Sequence, residues 1–112
     1  MKTLLPLALC ALLFTACSRD DIHTHECAQS LIDQYKDAPP SNPPASVWQY
    51  TYNDARVFYV PATGPDQMST LYDDCCVVMC HPDGGITGQG DGACEDFSDQ
   101  RQHEKLLWQD DR

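Results

Sequence analysis

The order of apolar and polar positions along the chain predicts one helix near the start of its folded part. Between positions 21 and 38, apolar residues recur at spacings of three and four, which places them in one stripe along a helix. The stripe consists of Cys27, Ala28, Leu31, Ile32 and Tyr35. Two prolines end the helix, and the Pro-rich segment 39–44 that they open is typical of a stiff, extended connector.

The pattern after the connector predicts a β-hairpin. Positions 47–52 and 56–60 are rich in aromatic and β-branched residues, and Asn53-Asp54-Ala55 between them has turn chemistry. Three aromatic residues share one face of the first run, and we interpret them as core packing rather than as a sugar-binding platform. They are Trp48, Tyr50 and Tyr52. Residues 68–72 form a short element of ambiguous type.

The stretch 75–80 (Cys-Cys-Val-Val-Met-Cys) predicts a central strand, because it is the most apolar part of the chain after the first sixteen residues. Glycine-rich turns follow at 81–85 and 88–92. Positions 98–112 are polar apart from the three residues 106–108. We interpret 98–112 as a polar tail that is either a short amphipathic helix or a frayed end.

These elements predict a small disulfide-stabilised α+β domain over residues 27–97, in which the N-terminal helix packs on a short antiparallel β-sheet. A chain of 112 residues allows one small domain and excludes a multidomain enzyme. Such a domain buries a small core and commonly depends on disulfide bonds. The 17 Asp and Glu residues, against seven Lys and Arg, give a net charge of −10, which argues against nucleic acid as a partner.

Residues 1–16 have the pattern of a signal peptide, with a basic Lys2, an apolar run and charged residues soon afterwards. The run ends Leu13-Phe14-Thr15-Ala16-Cys17, which resembles the lipobox of bacterial lipoproteins. This resemblance implies cleavage before Cys17, acyl chains on Cys17 and a lipidated tether over residues 17–26. By analogy with other lipoproteins, Ser18 indicates the outer membrane, on its periplasmic or its surface-exposed side. We therefore expect a cell-envelope protein that is anchored to the membrane by lipid.

Five cysteines lie beyond the leader and the anchor, and export to an oxidising compartment favours disulfide bonds among them. They are Cys27, Cys75, Cys76, Cys80 and Cys94. An odd number predicts two bridges and one free thiol. The spacing alone does not choose among the possible pairings.

A long motif occupies the C-terminal half of the chain. It runs Cys-x-Pro-Asp-Gly-Gly-x-x-Gly-x-Gly-Asp-Gly-x-Cys-x-Asp-Phe from Cys80 to Phe97, after Leu71-Tyr72-Asp73 and Cys76. It resembles the signature of a small family of uncharacterised exported bacterial domains of the lipoprotein type, for which no activity is known. With this resemblance we predict a Cys80–Cys94 bridge that closes the glycine-rich loop and a Cys27–Cys76 bridge that ties the helix to the central strand. Cys75 is then the free thiol.

Acidic residues around the glycines offer oxygen ligands for calcium, but their spacing is not that of an EF-hand, and turn capping is the simpler interpretation. They are Asp83, Asp91, Glu95, Asp96 and Asp99. The segment 23–27 (His-Thr-His-Glu-Cys) suits zinc or copper. It needs His81 or His103 to complete a site, however, and it loses Cys27 if that residue is bridged.

Catalysis is the least favoured interpretation. Cys75 or Cys80 beside His81 suggests a nucleophile and a base, but no third group is evident that would orient the base. We therefore expect no catalytic residue, no metal and no cofactor.

The leading hypothesis for function is a non-catalytic envelope lipoprotein that binds or supports another envelope component. The alternative is an inhibitor-like module whose rigid loop 81–93 docks into a partner's cleft, since a pre-organised loop loses little entropy on binding. The candidate docking residues in that loop are Asp83, Gly84, Gly85 and Asp91.

Overall fold

The structure of the chain is a computed structural model, and it describes residues 21–112, with side chains from His25 onward. The predicted signal peptide, the predicted lipidation site Cys17 and its neighbour Ser18 lie outside these residues. The side chain of His23 also lies outside them.

A helix and a five-stranded antiparallel sheet form the domain, which confirms the predicted α+β class. The strands lie in the order β4-β3-β2-β1-β5 across the sheet. The elements are α1 (Asp21–Asp37), β1 (Ser46–Tyr52), β2 (Ala55–Val60), β3 (Thr70–Asp73), β4 (Val78–Cys80), α2 (Phe97–Gln100) and β5 (Gln102–Gln109). In the part of the chain that the structure describes, no helix is both long enough and apolar enough to cross a membrane.

Strands β1 and β2 form the predicted hairpin. Tyr52 pairs with Ala55 across it, so that Asn53 and Asp54 alone make the turn. Both turn residues have positive φ angles, 52° and 62°. A two-residue type I′ turn requires this conformation, and Asn and Asp adopt it more readily than other non-glycine residues.

The sheet buries side chains on both faces. On the helix face, which α1 covers, a core cluster contains Cys27, Leu31, Val47, Phe58 and Val60. On the opposite face, called the loop face because residues 81–97 cover it, the cluster contains Tyr50, Tyr52, Val57, Tyr59, Leu71, Cys80, Cys94 and Phe97, with Trp48 packed against it. Because successive side chains along β1 and β2 point to opposite faces of the sheet, these two strands contribute to both core clusters. The predicted role of the three β1 aromatic residues in core packing is confirmed.

One disulfide bond serves each face of the sheet. Cys27 of α1 is bonded to Cys76, with 5.3 Å between their Cα atoms, and Cys80 is bonded to Cys94, with 6.1 Å between theirs. These are the two pairs expected from the resemblance. Cys75 is also disulfide-bonded, so the prediction of a free thiol is wrong. That prediction depended only on the odd number of cysteines beyond the predicted leader and anchor.

The prediction that the stretch 75–80 is a central strand is wrong. This stretch contributes the short strand β4, which lies at one end of the sheet. A turn before β4 is the physical reason. The Asp73 carboxylate accepts the backbone N–H groups of Cys75 and Val77, at 2.9 Å and 3.0 Å. Cys76 has a φ of 66° within this turn. Only three residues then remain to pair with β3.

The predicted polar tail is wrong as well, because residues 102–109 form strand β5 along β1 at the other end of the sheet. Two register shifts in this pairing break the alternation that a sequence pattern would show. Just beyond β5, the Arg112 side chain donates both to Asp110 and to the carbonyl oxygens of Tyr35 and Ala38. The last residues of the chain thus close the C-terminal end of α1.

Candidate functional site

The candidate site is the segment of residues 76–94, which we call the bridged segment. It begins at Cys76 of the Cys27–Cys76 bond and ends at Cys94 of the Cys80–Cys94 bond. Cys76 joins the start of the segment to α1, and the Cys80–Cys94 bond closes its loop. Strand β4 follows Cys76 and ends at Cys80. The Cys27–Cys76 bond therefore joins this segment covalently to α1, and the Cys80–Cys94 bond closes the segment on itself. An ordered segment of this kind loses little conformational entropy when it binds.

Three consecutive apolar side chains are exposed between Cys76 and Cys80. Val77, Val78 and Met79 are 58%, 49% and 44% exposed. We call these three residues the apolar edge, because β4 is an end strand of the sheet. An end strand presents backbone N–H and C=O groups that another strand can use. The most apolar stretch of the folded domain thus lies on its surface.

The loop after β4 is locked to the sheet through Asp83. Its carboxylate accepts hydrogen bonds from the hydroxyl groups of Tyr59 and Ser69, both at 2.5 Å, and its carbonyl oxygen accepts the backbone N–H of Ser69 at 2.9 Å. Ser69 is fully buried. Burial, and after it the hydrogen bond to Asp83, raises the pKa of Tyr59 to about 12. Asp83 is therefore an internal anchor of the loop.

Asp91 stabilises the other end of the loop. Its carboxylate accepts the backbone N–H groups of His81 and Ala93, each at 3.0 Å. The hydrogen bond from Ala93, with a further contribution from that of His81, lowers the pKa of Asp91. The carboxylate is exposed but serves the loop's own backbone. This is the turn-capping role that Asp commonly has.

Two glycines of the loop are required by its conformation. Gly84 has a φ of 89°, and a Cβ atom there would lie 2.7 Å from the carbonyl oxygen of Gln67. Gly90 also has a positive φ, and a Cβ atom would overlap the carbonyl oxygen of His81. No other residue fits these close backbone approaches without a shift of the chain.

The structure therefore changes the assignment of the docking residues. Asp83, Gly84 and Asp91 maintain the shape of the loop, and Gly85 donates its backbone N–H to Gln67. The large apolar side chain that the loop presents outward is Ile86, which is 91% exposed. Sequence reasoning missed Ile86 because an apolar residue next to glycines is ordinarily assigned to the core.

The histidines and the cysteine that were weighed as zinc or copper ligands do not converge among the described side chains. His25 lies on α1, His81 points its Nδ1 at the Ser69 carbonyl oxygen, and the His103 ring contacts Thr51. Cys27 is in a disulfide bond and is not available as a thiolate.

Within residues 25–112, one group of three potential ligands has its ligand atoms within 4.8 Å of one another: Asp73, Asp74 and Cys75. Cys75 is bridged, and the Asp73 carboxylate already binds two backbone N–H groups. We therefore interpret these three residues as part of the turn before β4, next to a disulfide bond, and not as a metal site.

A family model described as "Domain of unknown function (DUF6970)" matches residues 33–110 of the chain. The matched range includes all five strands, β5 among them, and so extends beyond the expected end of the domain at residue 97. No curated protein and no solved structure matches the chain significantly.

Proposed function

We propose that this chain, which belongs to the DUF6970 family of domains of unknown function, is a bacterial envelope lipoprotein whose folded domain is a non-catalytic binding module. The observation that carries the proposal is the apolar edge, because Val77, Val78 and Met79 are exposed between two cysteines that hold them in place. Exposed apolar side chains that adjoin one another mark interaction sites on soluble domains.

The apolar edge favours a protein partner that supplies an extended strand. Because β4 is an end strand, a partner strand could pair with its outer backbone groups while its side chains contact Val78 and its neighbours. Both disulfide bonds flank this surface, so the ordering cost of binding falls mainly on the partner. The chemistry of recognition is then apolar contact with main-chain hydrogen bonds.

The lipid anchor supports the placement of this module at a membrane. The helix α1 begins at Asp21, four positions after Cys17. Four residues span at most about 14 Å when fully extended. An acylated Cys17 would therefore keep the domain close to the bilayer, where envelope proteins are its nearest partners.

The anchor is tested by the intact mass of the protein extracted from its native membrane. We expect a mass that begins at Cys17 with acyl chains, and loss of this processing in Cys17→Ala, which then retains its apolar leader. Ser18→Ala is the matched control and should remain processed and membrane-bound. A Cys17→Ala protein whose processing and membrane fractionation are both unchanged would rule out the lipoprotein assignment.

Binding at the apolar edge is tested by placing a photo-crosslinking residue at Val78 in the native host. We expect a discrete adduct with an envelope protein, which disappears when Met79→Lys is added. The same crosslinker at Gln34, an exposed position on α1, is the control and should give no such adduct. Equal adducts at both positions, or none at Val78, would contradict a docking role for this edge.

A second candidate function is the inhibitor-like module, and the exposure of Ile86 favours it. In this case the tip of the loop enters a partner's cleft, while Asp83 and the Cys80–Cys94 bond hold the loop in shape. A crosslinker at Ile86 separates the two candidates. An adduct at Ile86 but not at Val78 supports loop docking, and the reverse supports pairing at the edge strand.

A further inference from the structure

A recess of about 300 Å³ lies in the loop just beyond the end of β4. Pro82, Gln89 and Glu95 line it, and we call it the acidic recess. Pro82 is buried, whereas the side chains of Gln89 and Glu95 are exposed. Pro82 comes two positions after Cys80, the last residue of β4, and two residues span at most about 7 Å. The recess is therefore close to the apolar edge.

Two exposed carboxylates lie at this end of β4. Glu95 lines the recess, and a Cβ atom on Gly92 would lie 3.7 Å from the Glu95 Oε1 atom, so this carboxylate lies beside the loop backbone. Asp91 precedes Gly92, and its carboxylate accepts the backbone N–H of His81 at 3.0 Å. His81 is the residue between β4 and Pro82. Negative charge thus lies where the chain leaves the edge strand.

The surrounding stretch of the sequence has no lysine or arginine. Positions 57–100 contain eight Asp and Glu residues and no Lys or Arg. This stretch includes β3, β4 and the whole bridged segment. Strand β5, which carries Lys105, lies at the opposite end of the sheet from β4. A partner segment with a cation would therefore supply a charge that this part of the chain lacks.

Main-chain pairing at the apolar edge is limited to a few residues. Strand β4 has three residues. Both backbone groups of His81 are already used, because its N–H donates to the Asp91 carboxylate and its carbonyl oxygen accepts the Asp91 N–H at 2.9 Å. Pairing with a partner strand therefore ends at Cys80. A partner segment that continues past this point next meets the acidic recess.

We propose that the segment that pairs with β4 carries a Lys or Arg just beyond its paired apolar residues, and that this cation occupies the acidic recess. The aliphatic stem of the cation lies on Pro82, and its charged end meets Glu95. This inference rests on the proposed function, because it names the chemistry of the partner at the apolar edge. A second copy of this chain is a poor partner, since its net charge of −10 is repelled.

The test uses the full chain in nanodiscs of zwitterionic lipid and a display library of short random peptides. Peptides that bind the native chain are counter-selected on the double variant Val78→Thr with Met79→Gln, which makes the apolar edge polar and changes no charge. Those that lose binding are edge-binding peptides. We expect them to carry a Lys or Arg next to a run of apolar or β-branched residues.

The contribution of the recess is measured with single variants that each remove one exposed carboxylate. Glu95→Gln removes the one in the recess, and Asp66→Asn, the matched control, removes one that does not line it. We expect edge-binding peptides to bind Glu95→Gln about fivefold more weakly, the scale of an exposed ion pair, and Asp66→Asn less than about twofold more weakly. Thermal unfolding of each variant checks that the fold is retained.

Charge reversal provides a second measurement. Each edge-binding peptide is compared with a version in which Glu replaces its cation. We expect the native chain to prefer the cationic version and Glu95→Lys to prefer the acidic one, with both preferences weakening as salt is added.

The outcomes separate this inference from the proposed function. Edge-binding peptides without a preference for Lys or Arg, or with the same affinity for the native chain and for Glu95→Gln, would overturn the inference and leave the proposed function intact. Equal losses in Glu95→Gln and Asp66→Asn would also overturn it, because the peptide would then respond only to net charge. A library without any edge-binding peptide would contradict the proposed function and this inference together.

Discussion

The helix face and the loop face of one sheet are covered by different kinds of chain. A single regular helix covers the helix face, joined to the sheet by Cys27–Cys76. An irregular segment with positive-φ glycines covers the loop face, closed by Cys80–Cys94. The helix leaves part of its face open as a groove, whereas the loop brings the aromatic cluster around Phe97 to nearly complete burial.

The difference shows what each kind of cover requires. A helix satisfies its own backbone hydrogen bonds and needs only an apolar stripe to dock. An irregular loop must find partners for its backbone elsewhere. Here the Asp91 carboxylate accepts the N–H groups of His81 and Ala93, and the Asp83 carbonyl oxygen accepts the N–H of Ser69. The loop face should therefore tolerate fewer substitutions than the helix face, and the predictions below compare the two from the largest expected effect to the smallest.

Truncation of Phe97 should give the largest loss of stability. Its side chain is fully buried, and its ring centroid lies 5.3–5.5 Å from those of Tyr50, Tyr52 and Tyr59. We expect Phe97→Ala to lower the free energy of unfolding by about 3–5 kcal/mol, and Leu31→Ala on the helix face by about 2–3 kcal/mol. Urea unfolding of the oxidised protein measures both. A larger loss for Leu31→Ala would reverse the proposed order of the two faces.

Removal of the disulfide bonds should cause the next largest losses of stability. Here we expect the larger loss from the bond on the helix face. The Cys27–Cys76 bond spans 49 positions and Cys80–Cys94 spans 14. On the chain-entropy account, the paired Cys→Ser variants should lose about 4 and about 3 kcal/mol. Thermal unfolding of the two double variants provides the comparison. If the shorter bridge proves the more important, native contacts of the loop rather than denatured-chain entropy determine its contribution.

These two comparisons also show how far the sequence could predict the fold. Helix α1 and the β1–β2 hairpin were predictable because each has local periodicity and local end signals. Strand β5 was not, because its register shifts against β1 remove the alternation on which a strand prediction depends. The position of β4 was mispredicted because apolarity indicates burial, whereas the turn at Asp73 and the two flanking bridges hold this stretch at the end of the sheet.

The candidate sites were less predictable than the fold. The glycine-rich loop was identifiable from its motif, but the sequence does not show that Asp83 turns inward or that Ile86 turns outward. The groove between α1 and the sheet, which Arg56 and Lys105 help to line, has no sequence signal at all. Arg56 and Lys105 are far apart in the chain, and only the pairing of β2 and β5 with β1 places them on one face.

Substitution of Asp83 should distinguish an anchoring carboxylate from a docking one. Asp83→Ala leaves the hydroxyl group of the buried Ser69 without its acceptor and removes the shorter of the two hydrogen bonds that the Tyr59 hydroxyl donates, and we expect a loss of about 2 kcal/mol. Asp91→Ala, on an exposed carboxylate of the same loop, is the matched variant and should lose clearly less stability than Asp83→Ala. Chemical unfolding of both variants is the measurement. Equal losses would show that the buried contacts of Asp83 add nothing beyond an ordinary turn cap.

The smallest expected difference between the faces is in how the free energy of unfolding falls at alkaline pH. It depends on one tyrosine phenol on each face. Burial is the main cause that raises the pKa of Tyr59 on the loop face and of Tyr35 on α1, each to about 12, and hydrogen bonds to Asp83 and Tyr72 respectively add to it. An unfolded tyrosine has a pKa of about 10. The stabilisation from the neutral phenol is therefore complete below about pH 10 and is lost as the pH rises through about 12.

We expect each phenol to contribute less than about 2 kcal/mol of this pH-dependent loss, since partial exposure screens the effect. Unfolding free energies measured from about pH 9 to about pH 11 should fall in the native protein, and less steeply in Tyr59→Phe and in Tyr35→Phe. Similar flattening in the two variants would mean that the helix and the irregular loop exclude water from a phenol equally well. A flatter curve for Tyr59→Phe alone would mean that the loop excludes water from its phenol better than the helix does. This result would agree with the burial of Phe97 beside Tyr59. A curve that remains as steep in both variants as in the native protein would contradict the shifted pKa values of these two groups.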